Sequence, residues 1–430
     1  MEITFWGATE DVTGSMTFVT FPEGLLALDC GLSQGRPEIE KLNDLPLPFS
    51  AHEIKAVVLT HAHLDHSGYL PILVKRGFKG IIYSTKATAH LAKIILQDSA
   101  SLSDGTYFDQ ADVELTLKKF QFLDWNQKTS LLGGDFILLP SGHILGASSV
   151  KLVSGGKTLI YSGDLGRKGD PLIPAPLPCP PADAVILEST YGARVRAGDM
   201  EKELHTFLMT LSRENKVGLM ASFAVARAQM LMTLIYDFFV RHPEDKIRVV
   251  FDSPMMAEAN EVYKNFSHLT KIPDSLHEGL TSTESIEHEG QWLRLRKMKG
   301  PLLIISSSGM LTGGRIGRHL LNWHDDKNAI LFLPGHQAKG TPGRALADGE
   351  RIIRGFNGVD FKWKGEVIFS EAFSSHADQN ELIEWTENLH PGSKIFLVHG
   401  EETSKEVLLN KLSSKGFRVK IPFRCESVSL

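Results

Sequence analysis

The first part of the chain is a series of short apolar runs separated by glycine-rich turns. Runs of about four to eight apolar residues between turn residues predict buried β-strands. Helical periodicity is largely confined to residues 87–99 and 113–117. We therefore predict strands at 3–6, 16–21, 25–29, 55–60, 80–83, 136–140, 149–153, 158–162 and 184–188.

The pattern of apolar and polar residues changes between about residues 195 and 360. Strand-like runs at 216–221, 248–252, 302–306 and 329–334 alternate with helical stretches such as 226–239 and 314–323. Such alternation is typical of a parallel α/β unit. The pattern of short apolar runs seen in the first part of the chain returns at 366–372 and 394–399, with helical stretches at 380–389 and 403–412. We predict a first domain over 1–195, an inserted domain over 196–362, and a return segment of the first domain over 363–430.

Composition limits the class of protein. A chain of 430 residues is too long for one ordinary core, and 42% hydrophobic with 23% charged residues is typical of a soluble globular protein. The net charge of −5 is unlike that of proteins that coat nucleic acid nonspecifically. The three cysteines form no close pair in sequence, which favours a reducing, cytoplasmic location. The start reads as a strand and no apolar stretch approaches membrane-spanning length, so we expect neither a signal peptide nor a membrane partner.

The strongest chemical signal is a histidine-rich turn after the apolar run 54–59. It places His61, His63, Asp65 and His66 within a few positions of one another. Imidazole and carboxylate suit zinc and neighbouring metals, and the lack of cysteine favours an open, catalytic site over a closed structural one. Chance clustering of histidines in a packed core is the alternative, but it does not explain such spacing at the end of a strand.

Three further candidates come at strand ends or on glycine-rich turns. His143 follows the strand ending at 140, Asp164 follows the strand at 158–162, and His399 follows the run 394–398. A histidine beside glycine is more often a turn residue than a ligand. Together with the first cluster, however, these residues could hold two metal ions.

These motifs resemble a known family. The series His-x-His-x-Asp-His, a lone histidine and an aspartate after a strand is similar to the ligand series of the metallo-β-lactamase fold. Residues 188–191, 373–378 and 397–400 resemble its β-CASP branch, the nucleases that include the cleavage and polyadenylation factor endonuclease and bacterial and archaeal relatives. The resemblance implies a four-layer αββα sandwich with an inserted, smaller parallel α/β domain.

The resemblance also implies a catalytic site with two Zn²⁺ per chain. One ion would be held by His61, His63 and His143, the other by Asp65, His66 and His399, with Asp164 bridging. Paired ions can activate a shared water, so that a metal hydroxide attacks the phosphodiester. Asp29, at the end of the run 25–28, resembles the first acidic residue of the family, and we expect it to orient a ligand or a water. A turn-forming aspartate before Gly31 is the alternative.

His376 is the predicted general acid. Ser375 and Asp378 have the spacing of a capping box ahead of the helical stretch 380–389, which would place His376 near a helix start. A helix N-terminus and two cations would both disfavour a protonated imidazole. A compensating carboxylate is therefore needed, and the family pattern assigns that part to Glu188. Protonation of the leaving 3′ oxygen would give a 5′-phosphate and a 3′-hydroxyl.

Three Gly/Ser-rich loops of the insert resemble the nucleic-acid-facing loops of the family. Two of them come after a strand and before a helix, where backbone N–H groups favour phosphate. Loops that only turn the chain are the alternative. The departures from the family pattern are Ala226, where glycine is frequent, and His336, where tyrosine is frequent. The phosphate-contact candidates are Ser222, Arg227, Ser307, Ser308, Gly309, Arg315, Lys339 and Arg344.

The sequence therefore predicts a zinc-dependent ribonuclease acting on single-stranded RNA. His399 favours RNA because DNA-processing relatives carry an aliphatic residue there. The alternatives are a dizinc hydrolase of another substrate, a DNA-directed nuclease of the same branch, and a catalytically silent RNA-binding subunit. Endonuclease versus 5′–3′ exonuclease action, site preference, the native metal, and a homodimer or processing-complex partner are left open.

Overall fold

The structure is a computed structural model that describes residues 1–102, 105–356 and 359–430. The strands are β1 (Glu2–Phe5), β2 (Thr17–Phe21), β3 (Gly24–Leu28), β4 (Ile54–Val58), β5 (Ile81–Ser84), β6 (Phe120–Phe122), β7 (Lys128–Leu131), β8 (Gly134–Pro140), β9 (Ser148–Ser154), β10 (Lys157–Tyr161), β11 (Ala184–Glu188), β12 (Val217–Ala221), β13 (Arg248–Asp252), β14 (Glu284–Ser285), β15 (Leu302–Ser306), β16 (Ala329–Pro334), β17 (Ile352–Phe356), β18 (Val359–Lys362), β19 (Glu366–Ser370), β20 (Lys394–Val398), β21 (Arg418–Lys420) and β22 (Ser427–Ser429). The α-helices are α1 (Pro37–Glu40), α2 (Leu64–Ser67), α3 (Leu70–Lys75), α4 (Lys86–Leu102), α5 (Gln110–Leu117), α6 (Met200–Arg213), α7 (Arg227–Arg241), α8 (Pro254–Asn265), α9 (Pro273–Ser282), α10 (Glu289–Leu295), α11 (Ile316–Trp323), α12 (Pro342–Ala347), α13 (Gln379–Trp385) and α14 (Glu402–Ser414). Short 3₁₀ turns occupy Lys41–Asp44 and Ser267–Leu269.

The first compact unit consists of Met1–Val195 and Ser375–Leu430. Among its described residues are two seven-stranded sheets, ordered β22-β1-β2-β3-β4-β5-β6 and β21-β20-β11-β10-β9-β8-β7. Side chains from both sheets, including Phe5, Val58, Phe136 and Phe396, share one buried core, so the sheets pack face to face. This agrees with the predicted mixed α/β class.

Strand β11 lies at the centre of the second sheet, and this position explains its almost wholly apolar sequence. All five residues of β11 are buried, because β10 and β20 flank it in parallel register and its two faces pack into two different cores. The outer face is covered by α13 and α14, whose Leu382 and Leu408 pack with Val185 and Leu397. This arrangement fixes the ends of β10, β11 and β20 next to one another.

The second compact unit, Arg196–Ser374, contains a parallel sheet ordered β14-β13-β15-β12-β16-β19. Its central strands β12, β15 and β16 are buried throughout, as the predicted parallel α/β unit requires. The structure differs from the predicted boundary at 362, because β19 pairs with β16 in this sheet. The inserted unit therefore extends to residue 374, and the return segment begins at 375.

No helix in the described parts of the chain is long and apolar enough to cross a membrane. The three cysteines, all within the described residues, are unpaired.

Candidate metal centre

The predicted ligands of the first unit meet at the strand ends of its two sheets. In the first sheet, β3 and β4 are parallel neighbours, so Asp29 and His61 leave the sheet at the same edge. In the second sheet, β10, β11 and β20 are parallel neighbours, and they deliver Asp164, Glu188 and His399. Carboxyl ends of parallel strands gather polar groups from distant parts of a chain in this way.

A first donor cluster is formed by His61, His63, His143 and Asp164, with one ligand atom of each within 4.8 Å of the others. His63 Nδ1 lies 3.1 Å from His61 Nε2 and 3.3 Å from His143 Nε2. Asp164 Oδ2 lies 3.4 Å from His61 Nε2 and 3.6 Å from His143 Nε2. Four ligands at about 2.0–2.2 Å from a tetrahedral zinc ion stand about 3.3–3.6 Å from one another. The spacing of these donor atoms therefore fits one metal ion.

A second cluster is formed by Asp65, His66 and His399. His399 Nε2 lies 3.2 Å from His66 Nε2 and 3.3 Å from Asp65 Oδ2. Asp164 also faces this cluster, because its Oδ1 lies 3.2 Å from His66 Nε2. The two oxygens of Asp164 thus point at different clusters, which is the arrangement of a carboxylate shared by two cations.

The electrostatics of the site favour the protonation states that bind metal. Burial lowers the pKa of His63 to about 4 and lowers the pKa of His61 and His143 well below the usual range, so these rings are neutral. Burial alone would raise the pKa of Asp65, but its hydrogen bond with His399 lowers that pKa to about 2. Neutral imidazole and ionised carboxylate are the ligand forms of both groups.

The pKa values of two other histidines of the site, His66 and His399, shift in the opposite direction. Burial by itself would lower the pKa of His66 and of His399. The neighbouring carboxylates together outweigh burial, Asp164 and Asp29 at His66 and Asp164 and Asp65 at His399, so the pKa of both rings is raised. The carboxylates around this second cluster therefore favour positive charge on its two rings. A divalent cation between these groups would supply that charge in place of the protons.

Asp29 lies behind the second cluster and is fully buried. Its Oδ2 is 2.7 Å from His66 Nδ1 and accepts hydrogen bonds from Thr60 Oγ1 at 2.8 Å and Tyr161 Oη at 2.9 Å. Its Oδ1 accepts from the Thr60 backbone N–H at 2.7 Å. The carboxylate thus contacts the His66 ring from a position held by three other hydrogen bonds.

Glu188 and His376 form a separate pair beside the donor clusters. Glu188 is buried, and its two oxygens accept backbone N–H groups of Leu165 at 2.9 Å and Thr190 at 3.1 Å. His376 Nδ1 lies 3.3 Å from Glu188 Oε1. Burial would lower the pKa of His376, but the charge and the hydrogen bond of Glu188, together with the charge of Asp164, outweigh it and the net shift is upward.

The predicted capping box at Ser375 is wrong. Helix α13 begins at Gln379, and its cap is Asp378, which accepts the backbone N–H of Glu381 while Glu381 accepts that of Asp378. His376 instead pairs in a β-bridge with Gly166. Its position is therefore set by the loop after β10 and not by a helix start.

The phosphate-contact candidates of the insert differ in burial and in the groups to which their side chains bind. Arg227 is only 8% exposed and its Nη1 donates to the Pro334 carbonyl at 2.9 Å, so its guanidinium supports a loop, contrary to the predicted phosphate contact. Ser222 is buried and Arg315 donates to the buried Asp252 at 2.9 Å. Lys339 is exposed.

The remaining four candidates lie on the same loops or the helix that follows. Ser307 Oγ donates to Ser253 Oγ at 3.2 Å, and Ser308 Oγ accepts the backbone N–H of Thr312 at 3.1 Å. The Gly309 carbonyl accepts from Gln337 Nε2 at 3.0 Å, and Arg344 pairs with Asp348 at 2.9 Å.

Several residues around the centre were not found from the sequence. Thr60 and Tyr161 hold Asp29, Ser15 Oγ lies 3.3 Å from His66 Nε2, and Thr190 Oγ1 lies 3.0 Å from His399 Nδ1. Thr60 directly precedes His61, which was a usable signal. Nothing local distinguishes Tyr161 or Ser15 from other strand and turn residues.

Comparison with known proteins gives matches along the whole chain. Protein-family models match for the metallo-beta-lactamase superfamily over residues 10–214, the Beta-Casp domain over 228–346, and the Zn-dependent metallo-hydrolase RNA specificity domain over 362–422. The chain is 34% identical to Ribonuclease TTHA0252 of Thermus thermophilus, covering 98% of both chains. It is 29% identical to an RNase J-like protein of Methanocaldococcus jannaschii, covering 92% of each. A crystal structure of a protein of unknown function from Enterococcus faecalis shares the fold, with a TM-score of 0.59, 17% identity, and coverage of 100% of this chain and 99% of that one.

Proposed function

Since the chain belongs to the metallo-beta-lactamase superfamily, in its Beta-Casp branch, we propose that it is a zinc-dependent ribonuclease that hydrolyses single-stranded RNA to 5′-phosphate and 3′-hydroxyl ends. The names of its relatives and the match to an RNA specificity domain support the substrate. The observation that carries the proposal is the pair of donor clusters that share Asp164.

The proposed centre takes two zinc ions. His61, His63 and His143 would bind the first, Asp65, His66 and His399 the second, and Asp164 both. Zinc pairs supply Lewis-acid chemistry, activating a water molecule and neutralising charge on the phosphate oxygens. The protein holds the donors rigidly, since His61, His66 and Asp164 are all buried and Asp29 fixes the His66 ring.

His376 acts as the general acid in this proposal. Glu188 is anchored by two backbone N–H groups, so its charge faces His376 Nδ1 from a fixed position. With Nδ1 directed at Glu188, Nε2 is the nitrogen that carries the proton to the departing 3′ oxygen. The upward pKa shift of His376 supports this use, because a general acid must hold its proton before transfer.

The test combines a metal assay with a digestion. The purified protein is expected to contain about two zinc ions per chain by elemental analysis, and to cleave a 5′-labelled single-stranded RNA but not the matched DNA. Chelation should abolish cleavage and zinc should restore it. Asp164→Asn is the variant of choice, because it removes the shared carboxylate charge and should reduce both zinc content and cleavage. Zinc-loaded wild-type protein that leaves RNA intact would refute the proposal, and cleavage of DNA alone would make the enzyme a DNA-directed nuclease.

We also propose a reducing, cytoplasmic location, supported by three unpaired cysteines of which Cys30 and Cys179 are buried. We further propose that the chain forms a homodimer or binds a partner protein in a processing complex. Light scattering of the purified chain, with and without RNA, tests the dimer directly.

A further inference from the structure

The loop after β12 carries a partly exposed phenylalanine, Phe223. Phe223 is 38% exposed, although Ser222 before it and Ala224 after it are buried. We propose that the free surface of this ring binds a nucleobase of single-stranded RNA by stacking, an inference that rests on the proposed ribonuclease function.

The ring of Phe223 is held in place by Arg227. The guanidinium carbon of Arg227 lies 4.8 Å from the ring centroid, which is cation–π distance. The guanidinium is itself fixed by its hydrogen bond to the Pro334 carbonyl. Glycine at 335 makes room for it, because a Cβ there would lie 2.6 Å from Arg227 Cζ. One face of the ring therefore lies against a buried cation, and the opposite face is the one that we assign to the base.

A second loop passes close to the same phenylalanine. At Gly309, after β15, a Cβ would lie 3.0 Å from the Phe223 backbone nitrogen and 3.4 Å from its Cδ2 atom. The Gly309 carbonyl is in turn held by Gln337 Nε2 at 3.0 Å. The loops after β12, β15 and β16 thus fix one phenyl ring at the carboxyl edge of a parallel sheet, where ligands of such sheets bind.

This geometry suits a base better than a phosphate. Arg227 is buried and donates to a carbonyl, so little of its guanidinium is accessible, whereas the ring of Phe223 lies on a partly exposed residue. Single-stranded RNA is recognised largely by stacking of unpaired bases on aromatic side chains, each worth about five- to 100-fold in affinity. A supported ring loses little conformational freedom on binding, which favours the stacked state.

The primary test uses RNA oligonucleotides in which one nucleotide at a time is abasic. Dissociation constants and steady-state kinetics are measured for the zinc-loaded wild type and for Phe223→Leu, which keeps an apolar side chain but removes the π face. Wild type should lose about tenfold in affinity at one abasic position, and Phe223→Leu should lose about tenfold on intact RNA with no further loss at that position. Phe223→Trp should bind intact RNA like wild type. The turnover number kcat should change less than twofold in both variants, so that the effect appears in KM.

Two controls separate the possible failures. Phe423→Leu, at a phenylalanine that is 67% exposed in the other unit, should bind RNA like wild type. Thermal melting should show Phe223→Leu folded. Equal abasic penalties in wild type and Phe223→Leu at every position would overturn the stacking proposal, as would wild-type affinity of Phe223→Leu for intact RNA. Failure of the wild type to cleave RNA would instead refute the ribonuclease function, so the two failures are distinguishable.

Discussion

The replacement Asp29→Asn tests how strongly metal binding at the second cluster depends on Asp29, a residue that would not itself bind the metal. Asp29 Oδ2 faces three donors, on Thr60, His66 and Tyr161, whereas among the described residues Oδ1 accepts the Thr60 backbone N–H alone. An asparagine side chain must place its NH₂ group at one of these positions. The less costly choice is the Oδ1 position, where one hydrogen bond is lost and two buried N–H groups face each other.

The magnitude follows from that geometry. Each buried donor left without a partner costs about 1–3 kcal/mol, so with two such donors the metal-free variant should be destabilised by about 2–6 kcal/mol. The loss of charge also weakens the hydrogen bond that orients His66. Changes to such outer partners typically reduce metal affinity about 10- to 100-fold, and we expect that loss at the second zinc ion only.

The assay is zinc competition against a colorimetric chelator, with thermal melting of the metal-free protein alongside. Tyr161→Phe is the matched control, because it removes one of the three donors at Oδ2 and leaves the carboxylate. It should cost about 1 kcal/mol or less and change zinc affinity less than threefold. Activity of Asp29→Asn should return at high zinc concentration. Unchanged binding of the second zinc ion, or a loss in Tyr161→Phe as large as in Asp29→Asn, would show that the Asp29 carboxylate does not hold His66 in its ligand orientation.

Two other predictions concern charged groups. His376→Ala should lower kcat about 10²- to 10⁴-fold, and elemental analysis should show both zinc ions retained. Adding Glu188→Gln to this variant should lower kcat little further, because the two residues act as one unit. Loss of zinc from His376→Ala would instead show that His376 is a metal ligand. Asp252→Asn should destabilise the inserted unit by about 3–5 kcal/mol in thermal melts at neutral pH, since it removes a buried carboxylate that pairs with the buried His319 and the partly exposed Arg315. Although burial would raise the pKa of Asp252, hydrogen bonds from His319 and Arg315 lower it to about 2, so its stabilisation is complete above pH 4 and is lost as the pH falls towards 2. A stability difference between wild type and Asp252→Asn that stays constant from pH 5 to pH 2.5 would contradict this reasoning.

The sequence by itself located most of the strands and the chemistry at their ends. Short apolar runs ending in histidine or aspartate predict a strand and its polar terminus from local pattern alone, and the observed β3, β4 and β10 begin and end within a few residues of their predicted positions. The donor types and their order along the chain were equally visible, and they carried the family resemblance.

Only the tertiary structure decided which of these elements lie together. An apolar run shows that a strand is buried, but not in which sheet, because its partners are distant in sequence. The run at 366–372 was therefore placed in the return segment, whereas β19 pairs with β16 of the inserted sheet. For the same reason the sequence could not show that Arg227 donates to Pro334 and supports Phe223, or that Tyr161 reaches Asp29. Local sequence specifies what a residue can do, and long-range packing selects the groups with which it does it.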